Sequence, residues 1–376
     1  MKMKGKNLTL RQIICSLAGA VSFVLFLILT WLGGHIANGL LDQQMAKRWS
    51  QEKDAAQISC FFSQGTEVSK ETVLRFESEL TKALQEESIT SDSENPSARL
   101  WADAYSASGK ITLQNGKKSV SAKAIGVGGD FFLFHPLKLL NGSFFSGSDI
   151  MQDYVVIDED MAWQLFGSND VAGMQVTIGN VPHIVSGVIE RESGHMNDAA
   201  GNDVTCAYVS YSTLAEYGED YGINCYEIVM PNPITGYALA MVKEKIGFED
   251  NEVSCIENSS RYSMLSLGRV LLSFTSRSMG EKAIIYPYWE NVARGWEDVL
   301  ARLLLLRTVF LLIPCVMLIV LLVRLWKKRT WNWKDALELT KKGGAMLGKG
   351  MVRLGKGAKN YKKRIEKEAD LEDLDL

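Results

Sequence analysis

The residues that could do chemistry are few and spread along the chain. The four histidines are His35, His135, His183 and His195. They show no HExxH spacing or other pattern of metal ligands. His195 could pair with Asp198 and Asp203, but the polar stretch that holds them is typical of a solvated loop. There is no GxSxG motif either. The sequence therefore predicts no catalytic, cofactor-binding or metal-binding residue, and no enzyme.

Six cysteines divide between two environments. Cys15 and Cys315 lie in long apolar runs, where a thiol behaves as a small apolar side chain. The other four, which could form disulfides, are Cys60, Cys206, Cys225 and Cys255. An even number of cysteines in an oxidising compartment permits disulfides, here with three possible pairings, and buried thiols are the alternative. The spacing matches no CxxC motif.

Two apolar runs are long enough to cross a membrane. Residues 13–34 contain no charged side chain, and a spanning helix needs about 20 apolar residues. The run is longer than the apolar core of a signal peptide and lacks a small-residue cleavage site, which favours an uncleaved anchor. The second run, 303–323, contains Arg307 near its start, where the long stem can snorkel, and Pro314 near its middle, where a kink is expected.

The net charge of −3 hides a strong partition. Acidic residues exceed basic ones between positions 34 and 301, whereas basic residues dominate before the first run and after the second. Short cytoplasmic segments collect Lys and Arg, so both termini are predicted to be cytoplasmic and the acidic block extracytoplasmic, in a two-pass protein of the cell membrane. An acidic folded domain also argues against binding to nucleic acid.

The sequence pattern of the acidic block, residues 34–301, predicts an α+β domain between the two transmembrane helices. Two β-α-β units, near 57–113 and 225–256, are separated by about 100 mostly β residues and are expected to share one sheet. The predicted order is a cytoplasmic N-terminus (1–12), transmembrane helix 1 (13–34), a first α/β unit with a leading helix (35–120), an inserted β-rich lobe (121–215), a second α/β unit (216–262), a helical stalk (263–302), transmembrane helix 2 (303–326) and a basic cytoplasmic tail (327–376).

The inserted region carries an ordered series of short patterns. In chain order they are Gly129-Asp130-Phe131-Phe132, Leu139-Leu140-Asn141-Gly142-Ser143-Phe144-Phe145-Ser146, Val155-Val156-Ile157-Asp158, Leu165-Phe166-Gly167 with Gly173, and His183-Ile184-Val185-Ser186-Gly187-Val188-Ile189. In order and spacing, this series resembles the periplasmic core domain of MacB-type ABC transporter permeases. The resemblance implies an outer domain of two lobes, a porter-like lobe from the two β-α-β units and an inserted, mainly β lobe.

Residues of this pattern are expected to have structural roles. The aromatic members Phe132, Phe145 and Phe166 are predicted to pack in the core of the β lobe. The glycines are expected at turns or close approaches; they are Gly142, Gly167, Gly173 and Gly187.

The chain departs from the family in its membrane part. Permeases of that family carry four spans, and the 50 residues after Trp326 hold no apolar run, so the last two transmembrane helices are expected to be missing. Neither Leu-Gly-Lys-Gly segment in the tail makes a nucleotide-binding P-loop. The resemblance implies a permease-like subunit of an ABC-type transport or mechanotransmission complex, whose outer domain binds a partner or cargo or relays motion. The implied partners are a separate ABC ATPase and a full permease or a homo-oligomer. The alternative is a standalone envelope binding or sensory protein.

The basic tail suits the anionic inner leaflet of a membrane. Its predicted contacts with membrane lipids start at the span end, with Lys327, Lys328, Arg329, Trp331 and Trp333. A disordered tail, a helix lying on the membrane and a docking helix for a partner such as a transporter ATPase are the three interpretations left open.

Overall fold

The structure is a computed structural model that describes residues 10–50, 54–89, 99–147, 149–273 and 284–327. The helices are α1 (Leu10–Gly39), α2 (Met45–Trp49), α3 (Lys70–Glu86), α4 (Phe131–Phe134), α5 (Glu159–Leu165), α6 (His195–Ala199), α7 (Tyr211–Tyr217), α8 (Tyr237–Lys245), α9 (Met264–Leu272) and α10 (Tyr288–Lys327). The strands are β1 (Ala55–Phe62), β2 (Ala102–Asn115), β3 (Lys118–Gly129), β4 (Leu139–Gly142), β5 (Tyr154–Asp158), β6 (Gln175–Ile178), β7 (Val181–Ile189), β8 (Cys206–Ser210), β9 (Glu219–Pro231) and β10 (Val253–Glu257). Two 3₁₀ turns span Leu41–Gln43 and Asn258–Ser260.

The described strands form one sheet of mixed direction. Its order is β10-β1-β9-β2-β3-β8-β5-β7-β4, and β6 pairs with β2 and β7. The units β1-α3-β2 and β9-α8-β10 are the two expected β-α-β units, and their four strands are neighbours, paired antiparallel. The β2–β3 hairpin then leads the inserted strands into the same sheet, where β3–β8 and β5–β7 are parallel pairs. The domain is therefore of mixed α/β type.

Both faces of the first half of the sheet are covered, so β1 is buried along its whole length. On one face, Ile58 packs with Leu80 of α3 and Val242 of α8. On the other face, Phe61 packs with Trp289 at the start of α10. Strands buried on both faces are mostly apolar, and the two polar side chains of β1, Gln57 and Ser59, are both hydrogen-bonded.

Helix α3 shows how local sequence selects these elements. The Ser69 hydroxyl accepts a hydrogen bond from the Thr72 amide, which satisfies one of the donors left over at a helix start. The apolar residues then follow at helical spacing, and Val73, Phe76 and Leu80 are all buried against the sheet.

Several boundaries differ from the expectations. The leading helix expected to continue over 36–56 is broken, because α1 ends at Gly39 and the chain turns through Leu41–Gln43 into α2. The segments 98–105 and 110–113, which the sequence pattern predicts as two strands, contribute to one strand, β2, with register shifts near Gly109. The polar stretch from Glu190 to Asp203, expected to be a loop, contains the short helix α6. The sequence around α7 shows no clear helical pattern.

Helices α1 and α10 contain segments long and apolar enough to cross a membrane, Ile13–Gly39 and Tyr288–Lys327. Most of their apolar side chains are exposed in the folded chain, among them Leu17 and Leu318, as lipid-facing residues would be. Helix α10 continues through Pro314. Lys327 is its last residue, and the other predicted interface residues, Lys328, Arg329, Trp331 and Trp333, lie outside the described residues.

Candidate functional site: a buried polar network

The segment that follows α1 is held against the sheet by polar contacts. Gln57 of β1 is fully buried; its side-chain oxygen accepts a hydrogen bond from the Met45 amide at 2.9 Å, and its amide nitrogen donates to the Asp42 carbonyl at 2.6 Å. Arg48 donates to the carbonyl oxygens of Leu41 at 2.6 Å and Leu133 at 2.7 Å. The turn that carries Asp42 is thereby fixed to β1 and to α4.

His135 lies at the centre of a buried acid–histidine–acid arrangement. It follows α4, and only 1% of its surface is exposed. Its Nδ1 lies 3.1 Å from Asp42 Oδ1, and its Nε2 lies 2.5 Å from Glu227 Oε2 in β9. Phe131 and Trp289 pack on the ring, each with centroids 4.5 Å away. An imidazole that donates from both nitrogens to two acids is in its protonated form.

The pKa of His135 supports that charge. Burial lowers its pKa, but Glu227 first and Asp42 second favour the protonated ring, and together they raise the pKa to about 10. His135 is therefore a buried cation at neutral pH, and its aromatic neighbours can add cation–π attraction.

A chain of hydrogen bonds continues from Glu227 across two strands. Ser59 of β1 donates to Glu227 Oε1 at 2.6 Å, and Asn258 donates to Ser59 Oγ at 2.7 Å. Arg261 donates in turn to Asn258 Oδ1 at 3.2 Å. Asn258 opens the 3₁₀ turn directly after β10, so the edge strand of the sheet carries this link.

Arg261 joins the network to helix α10. Its two terminal nitrogens donate to both carboxylate oxygens of Glu290, at 2.7 and 2.8 Å, and its Nε donates to Glu297. Arg294 donates to Glu290 from the same helix at 2.8 Å and packs over Tyr286. Two parallel N–H···O bonds fix both the distance and the orientation of the pair. The network thus runs without a break from the end of α1 to α10.

Glu290 and Glu297 face the same side of helix α10 because they are seven residues, about two turns, apart. Glu290 and Glu297 lie on the stripe that also buries Ala293, Leu300 and Leu304. Burial raises the pKa of Glu290, but Arg261 and then Arg294 outweigh it and hold the pKa below its usual value. Glu290 is therefore ionised and compensated, although it is 1% exposed.

The sequence carries two local signals of this network. Glu227 interrupts the apolar run of β9, and Glu290 and Glu297, seven residues apart, occupy positions that an amphipathic helix gives to its core face. Acids at such positions need buried partners. The partners themselves, His135 and Arg261, lie far away in sequence and carried no local pattern.

The glycines of the family pattern occupy turns and crowded positions. Gly142 has φ +81°, and a Cβ there would lie 2.1 Å from the Ser186 carbonyl oxygen, so only glycine fits. Gly187 pairs with Gly142 in the sheet. Gly167 follows the end of α5, and Gly173 lies in the turn before β6.

The aromatic residues of the pattern are buried to different degrees. Phe145 is buried and lies edge-on to Phe132, which is half-buried, with ring centroids 5.3 Å apart. Phe166 is half-buried and packs with the inserted strands and α5. Their expected role in packing needs no polar contact with the network.

The four extracytoplasmic cysteines lie on four different strands. Cys60 of β1 and Cys255 of β10 are directly opposed, and their sulfurs are 2.9 Å apart. Cys206 lies on β8 and Cys225 on β9. Within the described residues, no three side chains of His, Cys, Asp or Glu are grouped closely enough to hold a metal ion.

The sequence profile of the MacB-like periplasmic core domain matches residues 43–244, more than half of the chain. The chain belongs to this family. The match begins at the residue after Asp42 and includes His135 and Glu227, but it ends before Arg261 and α10. The MacB-like domain therefore supplies the first half of the network, and the segment leading into α10 supplies the second.

Relatives of known name match over short stretches. The macrolide export ATP-binding/permease protein MacB of Chromobacterium violaceum is 37% identical over 99 residues, which are 26% of this chain and 15% of that protein. MacB 2 of Aeromonas hydrophila is 33% identical over 104 residues, 27% of this chain and 16% of that protein. The matched part of the MacB-like chain thus spans about a sixth of the length of these relatives.

Solved structures are similar at lower identity. The periplasmic region of MacB from Actinobacillus actinomycetemcomitans covers 56% of the chain at 18% identity, with a TM-score of 0.36 and 92% of its own length matched. The extracellular domain of the noncanonic ABC-type transporter YknZ, from Gram-positive bacteria, covers 53% at 16% identity, with a TM-score of 0.33 and 99% of its length matched. The family match and the two apolar helices indicate a membrane protein with a MacB-like extracytoplasmic domain.

Replacing Arg261 should destabilise this domain strongly. Arg261→Met removes the guanidinium group that Glu290 and Glu297 share, and breaking a buried ion pair in this way costs about 3–5 kcal/mol. The free energy of unfolding of the full chain in detergent, measured by denaturant titration, gives the loss. Arg269→Met, at an exposed position of α9, is the matched control and should change it by less than about 0.5 kcal/mol. Equal losses for the two variants would contradict a compensated buried cluster.

The stability of the domain should fall as the pH rises above neutrality. A group with a higher pKa in the folded state stabilises the fold while protonated. The contribution of His135 is therefore complete below about pH 6.5 and is lost as the pH rises towards about 10. Between pH 7 and 9, the free energy of unfolding should fall by about 1 kcal/mol per pH unit.

The variant His135→Gln tests the origin of that slope. It should remove most of the slope between pH 7 and 9, whereas His183→Gln, at another buried histidine, should keep it. Burial, with the charge of Asp42, raises the pKa of the neighbouring Glu192 to about 7. The contribution of Glu192 to the pH dependence of the free energy of unfolding therefore falls mainly below about pH 7. A slope that survives in His135→Gln would show that another group titrates.

Proposed function

We propose that this chain is a membrane-anchored, permease-like subunit of an ABC-type transport or mechanotransmission complex. Its outer domain, with a porter-like lobe and an inserted β lobe, binds a partner or cargo and relays motion to the membrane helices. Its partners are a separate ABC ATPase and a full permease or a second copy of the chain, with membrane lipids around the helices and the basic tail. The proposal assigns no enzymatic activity to this chain and no nucleic-acid ligand.

The observation that carries the proposal is the unbroken polar network at the base of the domain. Asp42 lies in the 3₁₀ turn three residues after the end of α1, and Glu290 and Glu297 belong to α10. Between them, every link is a hydrogen bond between buried or half-buried groups, through His135, Glu227 and Arg261. A displacement of either helix end must therefore strain or rearrange the same set of contacts, which is what a mechanical relay requires.

Membership of the family supports the transport setting. The curated relatives are named as ATP-binding/permease proteins for macrolide export, and those names describe the relatives. This chain contains a periplasmic core domain of the same family. An ATPase activity in the complex would be supplied by a partner in the cytoplasm.

The proposed topology places both termini in the cytoplasm and the domain outside. The basic residues that flank the two apolar helices support this orientation, since Lys and Arg are enriched on the cytoplasmic side. Alkaline phosphatase is active only outside the cytoplasm and green fluorescent protein fluoresces only inside it. Phosphatase inserted after Asn251, in the exposed turn before β10, should be active, and green fluorescent protein fused after Leu376 should fluoresce. The reverse pair of signals would overturn the orientation.

The partners can be identified by affinity purification of the full chain from its native membranes in mild detergent. We expect an ABC ATPase and a four-span permease, or an ATPase with a second copy of the chain, to be recovered. Arg269→Met, which is expected to leave the network intact, serves as the control for expression and extraction. Recovery of the chain alone, or with cytoplasmic signalling proteins and no ATPase, would reject the proposal and favour the standalone sensory alternative.

A further inference from the structure

We propose that Cys60 and Cys255 form a disulfide that fastens the edge strand β10 to β1 outside the cytoplasm. The inference rests on the extracytoplasmic placement of the domain, because disulfides persist in oxidising compartments. Of the disulfides that the sequence left open, it selects this one and leaves Cys206 and Cys225 as thiols.

The geometry supports this pairing directly. Cys60 and Cys255 are partners in the antiparallel register of β1 and β10, between the neighbouring pairs Ser59–Ile256 and Phe61–Ser254. Their sulfurs lie 2.9 Å apart, about 0.9 Å more than the length of a disulfide bond. A small rotation of the two side chains is therefore enough to form the bond, with no change in strand register.

The other pairings conflict with the sheet. Cys225 lies opposite Phe61 in β9, and Cys60 lies opposite Tyr226, so Cys225 and Cys60 point to opposite faces. Cys206 and Cys225 are on the same side, but β2 and β3 separate their strands. Three strand spacings amount to roughly 14 Å, twice the longest separation that a disulfide bridges. Only Cys60 and Cys255 can bond without unpairing the sheet.

The reaction we propose is thiol–disulfide exchange with a disulfide oxidant, either a protein or a small molecule. Cys60 is fully buried, whereas Cys255 is half-buried at the sheet edge, and burial raises the pKa of the Cys60 thiol. The Cys255 thiolate therefore attacks the oxidant first and releases one thiol from it. The Cys60 thiolate then attacks the Cys255 sulfur and releases the second thiol. Two electrons pass to the oxidant, and the two cysteine protons end on the released thiols.

The disulfide would lie in the edge strand that leads directly into the polar network. Strand β10 is at the end of the sheet and pairs with β1 alone in the described strand order. Asn258 follows it directly, and Arg261 lies three residues later. A covalent link at Cys255 would therefore hold the segment that places Asn258 against Ser59 and Arg261 against its acidic partners in α10.

The test is peptide mapping of the full chain, extracted from its membranes with N-ethylmaleimide and without reductant. We expect the peptides of Cys60 and Cys255 to be joined, with a mass two hydrogens below that of the thiols, and Cys206 and Cys225 to carry the alkyl group after denaturation. Cys60→Ser should make Cys255 reactive, and Cys225→Ser should leave the link unchanged. Alkylated Cys60 and Cys255 in the wild-type chain would overturn the proposal.

Two further measurements separate the possible failures. In the wild-type chain, reductant should lower the melting temperature by about 5–10 °C, and in Cys60→Ala/Cys255→Ala it should have no effect. A link that forms only when oxidised glutathione is added to the purified chain would overturn the proposal for the cell, whatever partners the chain has. A chain with the link but without an ATPase partner would reject the proposed function and support the disulfide.

Discussion

The pairing of Arg261 with Glu290 is the constraint on which the base of this domain depends. Removing an arginine and a carboxylate from water costs several kcal/mol for each ion, so the pair is tolerable only with near-ideal geometry and with its remaining donors satisfied. Both conditions hold: the bond is bidentate, and the other donors of Arg261 reach Glu297 and Asn258. The segment after β10 and helix α10 must therefore stay in register with each other.

The same requirement passes along the network. Asn258 is oriented by Arg261 and donates to Ser59, and Ser59 donates to Glu227, whose second oxygen accepts a hydrogen bond from His135. Each group completes the hydrogen bonding of the next, and in a low-dielectric interior a partly satisfied network is less stable than an apolar core. Moving one end of the network while the other stays in place would therefore break buried hydrogen bonds and cost free energy. This coupling is the physical basis of the proposed relay. One end of the network, Asp42, lies next to α1, and the other, Glu290, lies in α10.

The parts of this fold that could be predicted from sequence are those with a local pattern. The length of the apolar runs identified both long helices, and the spacing of Val73, Phe76 and Leu80 identified α3. The cap of α5 at Asp158 and the turn at Gly116 have local signals of the same kind, because each depends on neighbouring residues. The network could not be predicted in the same way, since His135, Glu227 and Arg261 are linked, the last through Asn258 and Ser59, only after β9 enters the sheet between β1 and β2. Their contacts are set by strand order, and strand order depends on non-local pairing.

The break in the helix after Gly39 shows how the network overrides local preference. Residues 36–56 have few helix breakers, and a continuous helix would bury no charged group. Such a helix would, however, carry Asp42 away from His135 and leave Glu227 as the one acid hydrogen-bonded to the buried imidazole. Gln57 instead holds the turn through Asp42 and Met45, and the lost helical hydrogen bonds are replaced by bonds to a buried side chain. The chain gives up a local structure because the buried cation at His135 needs two acids, and that requirement places the end of α1 at the base of the sheet.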